Sequence, residues 1–388
     1  MTDTFALMDE WGPEKVVCVS DRKSGMKGVL VLDNTARGMG KGGTRMSPTL
    51  SVNEVARLAR TMTWKWAAVD LYHGGAKAGI LGDPNAPNKE QILRAFARAL
   101  ANEVPKEYVF GLDMGLSEKD AAIFIDELGD RGASVGLPRA LGGVPYDELG
   151  VTGFGVAEAA DAAAQTTGIL MKGARVVVQG FGAVGSAAAE QFRALGATLV
   201  GVSTSVGSLH DPDGLDLDRL LYLRGEAGDG CVREYGGVRP TTDALAFDCD
   251  ILVPAATQDV VDVDVARSTT ASLVVEGANM PTTGPALDVL AARGVSVVPD
   301  FIANAGGVIA AAFSMDNRYS PFATDPAQIF SHISAKIRGN AETVLLESGR
   351  RGSTPHVAAR QIAQERVLAA MCLRGQISID EQIKEPVA

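Results

Sequence analysis

Ala174-Arg175-Val176-Val177-Val178-Gln179 runs straight into Gly180-Phe181-Gly182-Ala183-Val184-Gly185, and then into a helical pattern through Ala188, Phe192 and Leu195. The first six residues are a β-rich run. The next six are GxGxxG, set where a strand turns into a helix. The first glycine permits the tight turn, the second lets a pyrophosphate approach the backbone, and the third lets helix and strand pack closely. The phosphates meet the helix N-terminus. In this setting the motif predicts a doubly wound, Rossmann-like nucleotide-binding domain.

The strand that follows, Thr198-Leu199-Val200-Gly201-Val202, ends in Ser203-Thr204-Ser205. An NAD-preferring site has Asp or Glu at that end to hold the ribose 2′-hydroxyl. Here there are only hydroxyls and no adjacent arginine, so a 2′-phosphate is tolerated rather than sought. Later strands keep the rhythm at Ile251–Pro254, Leu273–Glu276 and Val295–Pro299. Each leads to a small-residue turn: Ala255-Ala256-Thr257, Gly277-Ala278-Asn279, and Asp300 through Gly307. Turns at strand C-termini line the cofactor crevice. Asn279 and Asn304 are the polar candidates there for the nicotinamide side; ordinary Asx turns explain them equally well.

Upstream, residues 15–33 alternate like two paired strands around the turn Ser24-Gly25-Met26-Lys27-Gly28. Gly38-Met39-Gly40-Lys41-Gly42-Gly43-Thr44-Arg45-Met46 sets a lysine among glycines, which suits an anion site or a flexible surface loop. Ser51 with Glu54 forms a capping box, and Val52, Val55, Leu58, Ala59, Met62, Trp66 and Val69 share the face of the helix it opens. Lys65 sits near the end of that helix, between two tryptophans. A loop then carries Gly74-Gly75-Ala76-Lys77. The small neighbours of Lys77 leave room for a ligand, and are expected to keep carboxylates away from an amine that must titrate near neutral pH. A helix begins at Asn88. Tyr108–Leu112 reads as a short buried strand ending in Asp113-Met114-Gly115, where an acidic residue suits catalysis or a simple turn. The glycine-rich segments 142–145 and 150–155 frame a domain boundary, followed by a helix over about 153–167.

At 388 residues the chain is too long for one ordinary core. The expected division is 1–148 as a substrate-binding and oligomerisation domain, joined by C-terminal helices over about 340–388, and 149–339 as the nucleotide domain. A net charge of −11 and the lack of a basic tract argue against nucleic acid as a partner. No apolar run is long enough to span a bilayer, and the N-terminus has no signal-peptide pattern, so a cytoplasmic protein is expected. Cys18, Cys231, Cys249 and Cys372 are dispersed and expected to be reduced. The four histidines have no metal-site spacing, so no metal is expected.

Taken together, Lys41-Gly42-Gly43-Thr44-Arg45, Met62-Thr63-Trp64-Lys65, Gly74-Gly75-Ala76-Lys77, Asp113-Met114-Gly115, Gln179 through Gly185, Gly277 through Thr283 and Asn304 through Val308 resemble the glutamate/leucine/phenylalanine/valine dehydrogenase superfamily over nearly the whole chain. The resemblance implies reversible oxidative deamination of an L-amino acid to a 2-oxo acid and ammonia, with NAD or NADP. It also implies two domains whose cleft closes for hydride transfer, assembled as hexamers or octamers. By matching positions, Lys65 would bind the substrate α-carboxylate. Lys77 would activate the water that attacks the imine carbon, and Asp113 would shuttle protons. Asn304 would help fix substrate and nicotinamide. The cofactor set is Thr152, Gly180, Phe181, Gly182, Ala183, Val184, Gly185, Ser203, Thr204, Ala255, Ala256, Asn279 and Asn304.

Substrate choice divides the pattern. Lys41 stands where glutamate enzymes face the side-chain carboxylate. Ala311 stands where those enzymes place a serine. The N-terminal hairpin looks more like leucine dehydrogenases. A lysine facing an apolar side chain would cost several kcal/mol, whereas one lost hydrogen bond to a carboxylate costs about 1.5–3 kcal/mol, so glutamate is expected. An apolar amino acid is the alternative. A catalytically silent regulatory or scaffold relative is the alternative of another class, but it would be expected to lack Lys77 or Asp113.

Overall fold

The computed structural model describes residues 4–377. The chain forms two compact units. One comprises Met1–Pro145, Ala311–Asp325 and Gln361–Ala388, the other Tyr146–Ala310 and Pro326–Arg360. Residues 1–3 and 378–388, assigned from the sequence to the first domain, lie outside the described residues.

The first unit holds strands β1 (Lys15–Asp21), β2 (Met26–Asn34), β3 (Gly40–Lys41), β4 (Thr44–Ser47), β5 (Gly74–Leu81) and β6 (Tyr108–Val109). Its helices are α1 (Val52–Ala68), α2 (Lys89–Ala99) and α3 (Glu118–Leu128). The expected hairpin forms, with Lys15 opposite Leu32 and Asp21 opposite Met26. β5 is the central strand: antiparallel to β2, and parallel to both β3 and β4. The period-2 pattern of β2 sorts its side chains to two faces. Val29 and Val31 pack with Val55 and Ala59 of α1. Leu30 and Leu32 join Phe96, Phe110 and Phe124 under α2 and α3. Ser51 caps α1, its side chain accepting from the Glu54 N–H at 3.2 Å. The Glu54 carboxylate does not close the capping box from its side; it takes Arg45 at 2.8 Å.

The Gly-Gly-Ala-Lys segment was expected as a loop and is instead the buried core of β5. The reason is steric. A methyl group on Gly75 would lie 2.0 Å from Thr63 Oγ1 and 2.4 Å from its backbone nitrogen, so glycine here lets α1 press onto the strand.

The second unit begins with α4 (Tyr146–Leu149) and α5 (Val151–Thr167). It continues with β7 (Arg175–Gln179), α6 (Ala183–Ala194), β8 (Thr198–Thr204), β9 (Gly207–His210), α7 (Leu217–Ala227) and α8 (Cys231–Tyr235). Then come β10 (Ile251–Pro254), α9 (Val263–Ser268), β11 (Leu273–Val275), α10 (Gly284–Ala292), β12 (Ser296–Val298) and α11 (Asp300–Ala303). Of the last three helices, α12 (Gly306–Asn317) passes into the first unit at Ala311, α13 (Pro326–Arg351) belongs to the second, and α14 (Pro355–Leu373) passes into the first at Gln361. The sheet order is β12-β11-β10-β7-β8-β9. All neighbours are parallel except the edge strand β9, which is antiparallel to β8. The chain therefore starts in mid-sheet at β7, moves outward to β8, and returns to the other side at β10. That switch opens a crevice at the C-terminal ends of β7 and β10.

Residues 340–360, expected with the first domain, group with the second unit, because α13 packs along α5. Arg338 pairs with Asp161 at 2.6 Å, Ser334 Oγ donates to Glu158 at 2.5 Å, and Phe154 meets Phe330 edge-on at 4.8 Å. All four cysteines carry free thiols. Among the described residues no helix is long and apolar enough to cross a membrane.

Candidate active site

Three of the first unit's candidate residues, Lys41, Lys77 and Asp113, converge around β5. Lys77 points from that strand into an ion pair with Asp113, which follows β6. This corrects the expectation that no carboxylate approaches the lysine. Two glycines allow the approach. A methyl group on Gly43 would lie 2.5 Å from the Leu112 carbonyl oxygen and 2.8 Å from Asp113 Cβ; one on Gly42 would lie 1.8 Å from the Ala76 carbonyl oxygen. With those side chains absent, the Lys41-Gly42-Gly43 segment fits between β5 and the Asp113 turn.

Asp113 is held from three sides. Its Oδ1 accepts the Met114 N–H at 2.8 Å, and its Oδ2 faces Lys77 and Arg45 Nε, the latter at 3.3 Å. Burial pushes the Asp113 carboxyl up, but Lys77, the Met114 N–H and Arg45 together outweigh it and hold the group below the usual carboxylate range. Lys77 is only 7% exposed. Burial lowers its ammonium below the ordinary lysine value against the opposing pull of Asp113, and Arg45 adds repulsion. The result is an amine inclined to lose its proton beside a carboxylate inclined to stay ionised, which is an acid–base pair. Arg45 was visible in the sequence motif, but its partnership with Asp113 arises only through space.

Lys41 is 3% exposed. Its Nζ donates to the carbonyls of Val109 and Phe110 at 3.0 and 3.2 Å, and the indole of Trp66 donates to the Lys41 carbonyl at 3.0 Å. Burial first, then repulsion from Lys77 and Arg318, lowers its pKa to about 7. The glycine cluster is therefore no flexible loop. Arg318, just beyond α12, carries no motif signal and was missed. Lys65 occupies the last turn of α1 and is partly exposed. Ala311, on α12, falls in the first unit.

The remaining candidates belong to the second unit. Gly180 adopts φ +95°, and a methyl group there would lie 2.6 Å from the Ala256 nitrogen, so Ala255-Ala256 lies directly against the turn. Ala255 N–H donates to the Gln179 carbonyl at 2.7 Å. Nothing lies within 4 Å of where a Gly182 side chain would start, at the head of the 12-residue helix α6. Open space over a helix N-terminus, whose first N–H groups have no partner within the helix, among Ala183, Val184 and Gly185 with Phe181 alongside, is the cradle a pyrophosphate requires. The residues present thus fit a dinucleotide. Asn304 Nδ2 donates to Asn279 Oδ1 at 3.1 Å and to the Ala278 carbonyl at 3.3 Å, joining the two asparagines at the ends of β11 and α11. Thr152, in the first turn of α5, faces Gly307. Ser203 meets the glycine turn, its carbonyl accepting the N–H groups of Gly180 and Phe181 at 3.1 and 2.6 Å. The Thr204 hydroxyl instead donates to the Asp229 carbonyl at 2.8 Å.

One grouping has no counterpart in the sequence spacing. His356 Nε2 lies 2.8 Å from Glu276 Oε2, 80 positions away, and the Asp300 N–H donates to the same oxygen at 2.8 Å. These contacts tie the end of β11 to α11 and the start of α14.

Comparison with known proteins agrees with both units. A family model described as Glutamate/Leucine/Phenylalanine/Valine dehydrogenase matches residues 142–375, and one described as Glu/Leu/Phe/Val dehydrogenase, dimerisation domain, matches residues 13–130. Glutamate dehydrogenase A2 of Halobacterium salinarum is 36% identical over 355 residues, covering 88% of this chain and 85% of the relative. NAD-specific glutamate dehydrogenase of Staphylococcus aureus (strain COL) is 34% identical over 352 residues, covering 88% and 84%. The hetero-hexameric glutamate dehydrogenase of Thermus thermophilus, in its Leu-bound form, superposes with a TM-score of 0.80 at 30% identity, covering 96% of this chain and 93% of that one. The chain belongs to the glutamate/leucine/phenylalanine/valine dehydrogenase family, and is an amino acid dehydrogenase that uses NAD or NADP.

Proposed function

We propose that the chain catalyses the reversible oxidative deamination of L-glutamate to 2-oxoglutarate and ammonia. The observation that carries this reading is the surplus of positive charge around β5. Lys41, Lys77 and Arg318 are near enough for the other two to depress Lys41, and Asp113 is the carboxylate that Lys77 already occupies. An acidic side chain supplies the missing negative charge.

In this reading Lys65 binds the α-carboxylate and Lys41 the side-chain carboxylate. Lys77 takes a proton from the water that adds to the imine carbon, and the Asp113 carboxylate takes that proton over and passes it to the departing nitrogen, which leaves Lys77 neutral and Asp113 ionised again. Arg45 keeps Asp113 ionised and oriented. Asn304, with Asn279 behind it, positions the reacting carbon. The nicotinamide, when bound, supplies the hydride acceptor. The first 148 residues or so serve substrate binding and oligomerisation, the chain works as a homo-oligomer (a hexamer or octamer), and the cytoplasm is its compartment. A silent relative is disfavoured, since Lys77 and Asp113 are both present and paired.

A second reading, an apolar amino acid as substrate, draws on a specific observation. Lys41 already has two carbonyl partners and a pKa of about 7, so its neutral form can sit beside an apolar side chain without the penalty of a buried charge. The deciding experiment is a screen of all common L-amino acids with NAD and NADP, followed by nicotinamide absorbance. A dominant response to glutamate supports the first reading; leucine, valine or phenylalanine exceeding glutamate by orders of magnitude in kcat/KM refutes it.

A further inference from the structure

The end of β8 carries hydroxyls where an acid is wanted, and the fold brings an acid to them. Asp229 belongs to the short turn Gly228–Gly230 after α7. Its Oδ2 accepts the Ser205 hydroxyl at 2.5 Å and the Ser205 N–H at 3.4 Å. Its backbone carbonyl takes the Thr204 hydroxyl at 2.8 Å, and Thr204 Oγ1 in turn accepts the Val206 N–H at 3.3 Å. The two hydroxyls are therefore engaged in holding Asp229. Ser203, two residues earlier, is bonded to the glycine turn through its carbonyl and hydroxyl. Asp229 thus stands at the C-terminal end of β8, just past the residue that meets the glycine turn, where this kind of fold holds the adenosine ribose.

We propose that Asp229 is the cofactor-selecting residue of this chain: its carboxylate accepts the ribose hydroxyls of NAD and repels the 2′-phosphate of NADP. Oδ1 has no role in the contacts to Ser205 and is left to accept a hydroxyl donor. A 2′-phosphate carries close to two negative charges and would meet a like charge at the same place. Arg224 is the competing influence. Its guanidinium lies over the Phe181 ring at 5.9 Å and donates to Ser186 Oγ, on the α6 side of the turn. That position assigns Arg224 to the pyrophosphate side, where it serves both dinucleotides alike. The selection is independent of which amino acid is oxidised.

Calorimetric titration of the intact protein with NAD, NADP, 5′-AMP and 2′,5′-ADP tests the assignment without turnover. Wild type is expected to bind NAD and 5′-AMP more tightly than their 2′-phosphorylated counterparts. In Asp229→Ala and Asp229→Asn the ratio is expected to shrink by about tenfold or more, the worth of a charged hydrogen bond. Ser205→Ala, which frees the carboxylate without removing it, is expected to weaken the preference less. Arg224→Ala should lower all four affinities together. An unchanged ratio in both Asp229 variants, a wild type that prefers the 2′-phosphate, or a loss confined to the 2′-phosphorylated ligands in Arg224→Ala would each overturn the proposal. The side chain is exposed, so both variants are expected to fold, which a thermal melt of each verifies.

Discussion

Lys77 and Asp113 matter as a pair rather than singly. Replacing Lys77 by alanine should lower kcat by about 10²–10⁴-fold, the usual worth of general acid–base catalysis, with circular dichroism unchanged. Asp113→Asn should fall in the same range. Arg45→Leu should act differently. Arg45 helps hold Asp113 ionised and repels the Lys77 ammonium, so its removal lets both groups rise, and the acid limb of the kcat/KM profile should move to higher pH. A profile that merely scales down would indicate a structural role alone. Lys41 gives a prediction with a definite sign. Its folded pKa is about 7 against 10.5 for an ordinary lysine. The ammonium form is the one that attracts a side-chain carboxylate, so kcat/KM for glutamate should decline as pH rises through about 7. For an apolar substrate the neutral form is preferred and the trend should reverse. Between the folded and ordinary values the unfolded chain holds more protons, so stability gains up to about 1.4 kcal/mol per pH unit, and Lys41→Met should flatten that slope in urea titrations at several pH values. These lysines and Asp113 were legible in the sequence as chemistry-bearing groups in small-residue surroundings. Their pairing was not, because contacts such as Lys77–Asp113 and Arg45–Asp113 are set by strand register and not by spacing along the chain.

Elements were read best where a local rule suffices. The β1–β2 hairpin follows from alternation around a glycine turn, α1 from its cap and apolar face, and the β7–α6 junction from its glycines. β5 escaped the same reading. A run such as Gly74-Gly75-Ala76-Lys77-Ala78-Gly79 has little intrinsic strand preference and resembles a loop; its partners β2, β3 and β4 and the helix above it impose the strand. Gly75→Ala should therefore cost about 1–3 kcal/mol through overpacking against Thr63, seen as a lower urea midpoint. Ser51→Ala, which removes only the cap of α1, should cost about 0.5–2 kcal/mol. A Gly75→Ala protein as stable as wild type would mean that α1 yields, and that the tightness of this contact is not required.

The molecule as a whole departs from the expected division, in which residues 1–148 are rejoined by the chain from about 340 onward. The chain passes between units after Pro145, Ala310, Asp325 and Arg360, two of these within helices α12 and α14. Which late segment completes which core depends on packing over hundreds of residues, beyond what local patterns record. The first unit leans on its late segments. Met315 packs with Val109 and Val135, and Arg366 donates to the carbonyls of Ala67 and Ala68 at the end of α1, both at 2.8 Å. A fragment of residues 1–145 should accordingly lack a cooperative thermal transition, although it contains Lys41, Lys65, Lys77 and Asp113. A sharp melt from that fragment would show that these late contacts are dispensable.

The close approach around Gly42, Gly43 and Gly75 bears on how descendants of this fold decay. Those glycines answer to steric volume, not to turnover, so a copy that had lost its chemistry but kept its shape would still retain them. In such a copy Lys77 and Asp113 would drift first, leaving a signature of glycines around an empty centre. A genomic search for retired members should score the charged positions and disregard the glycines.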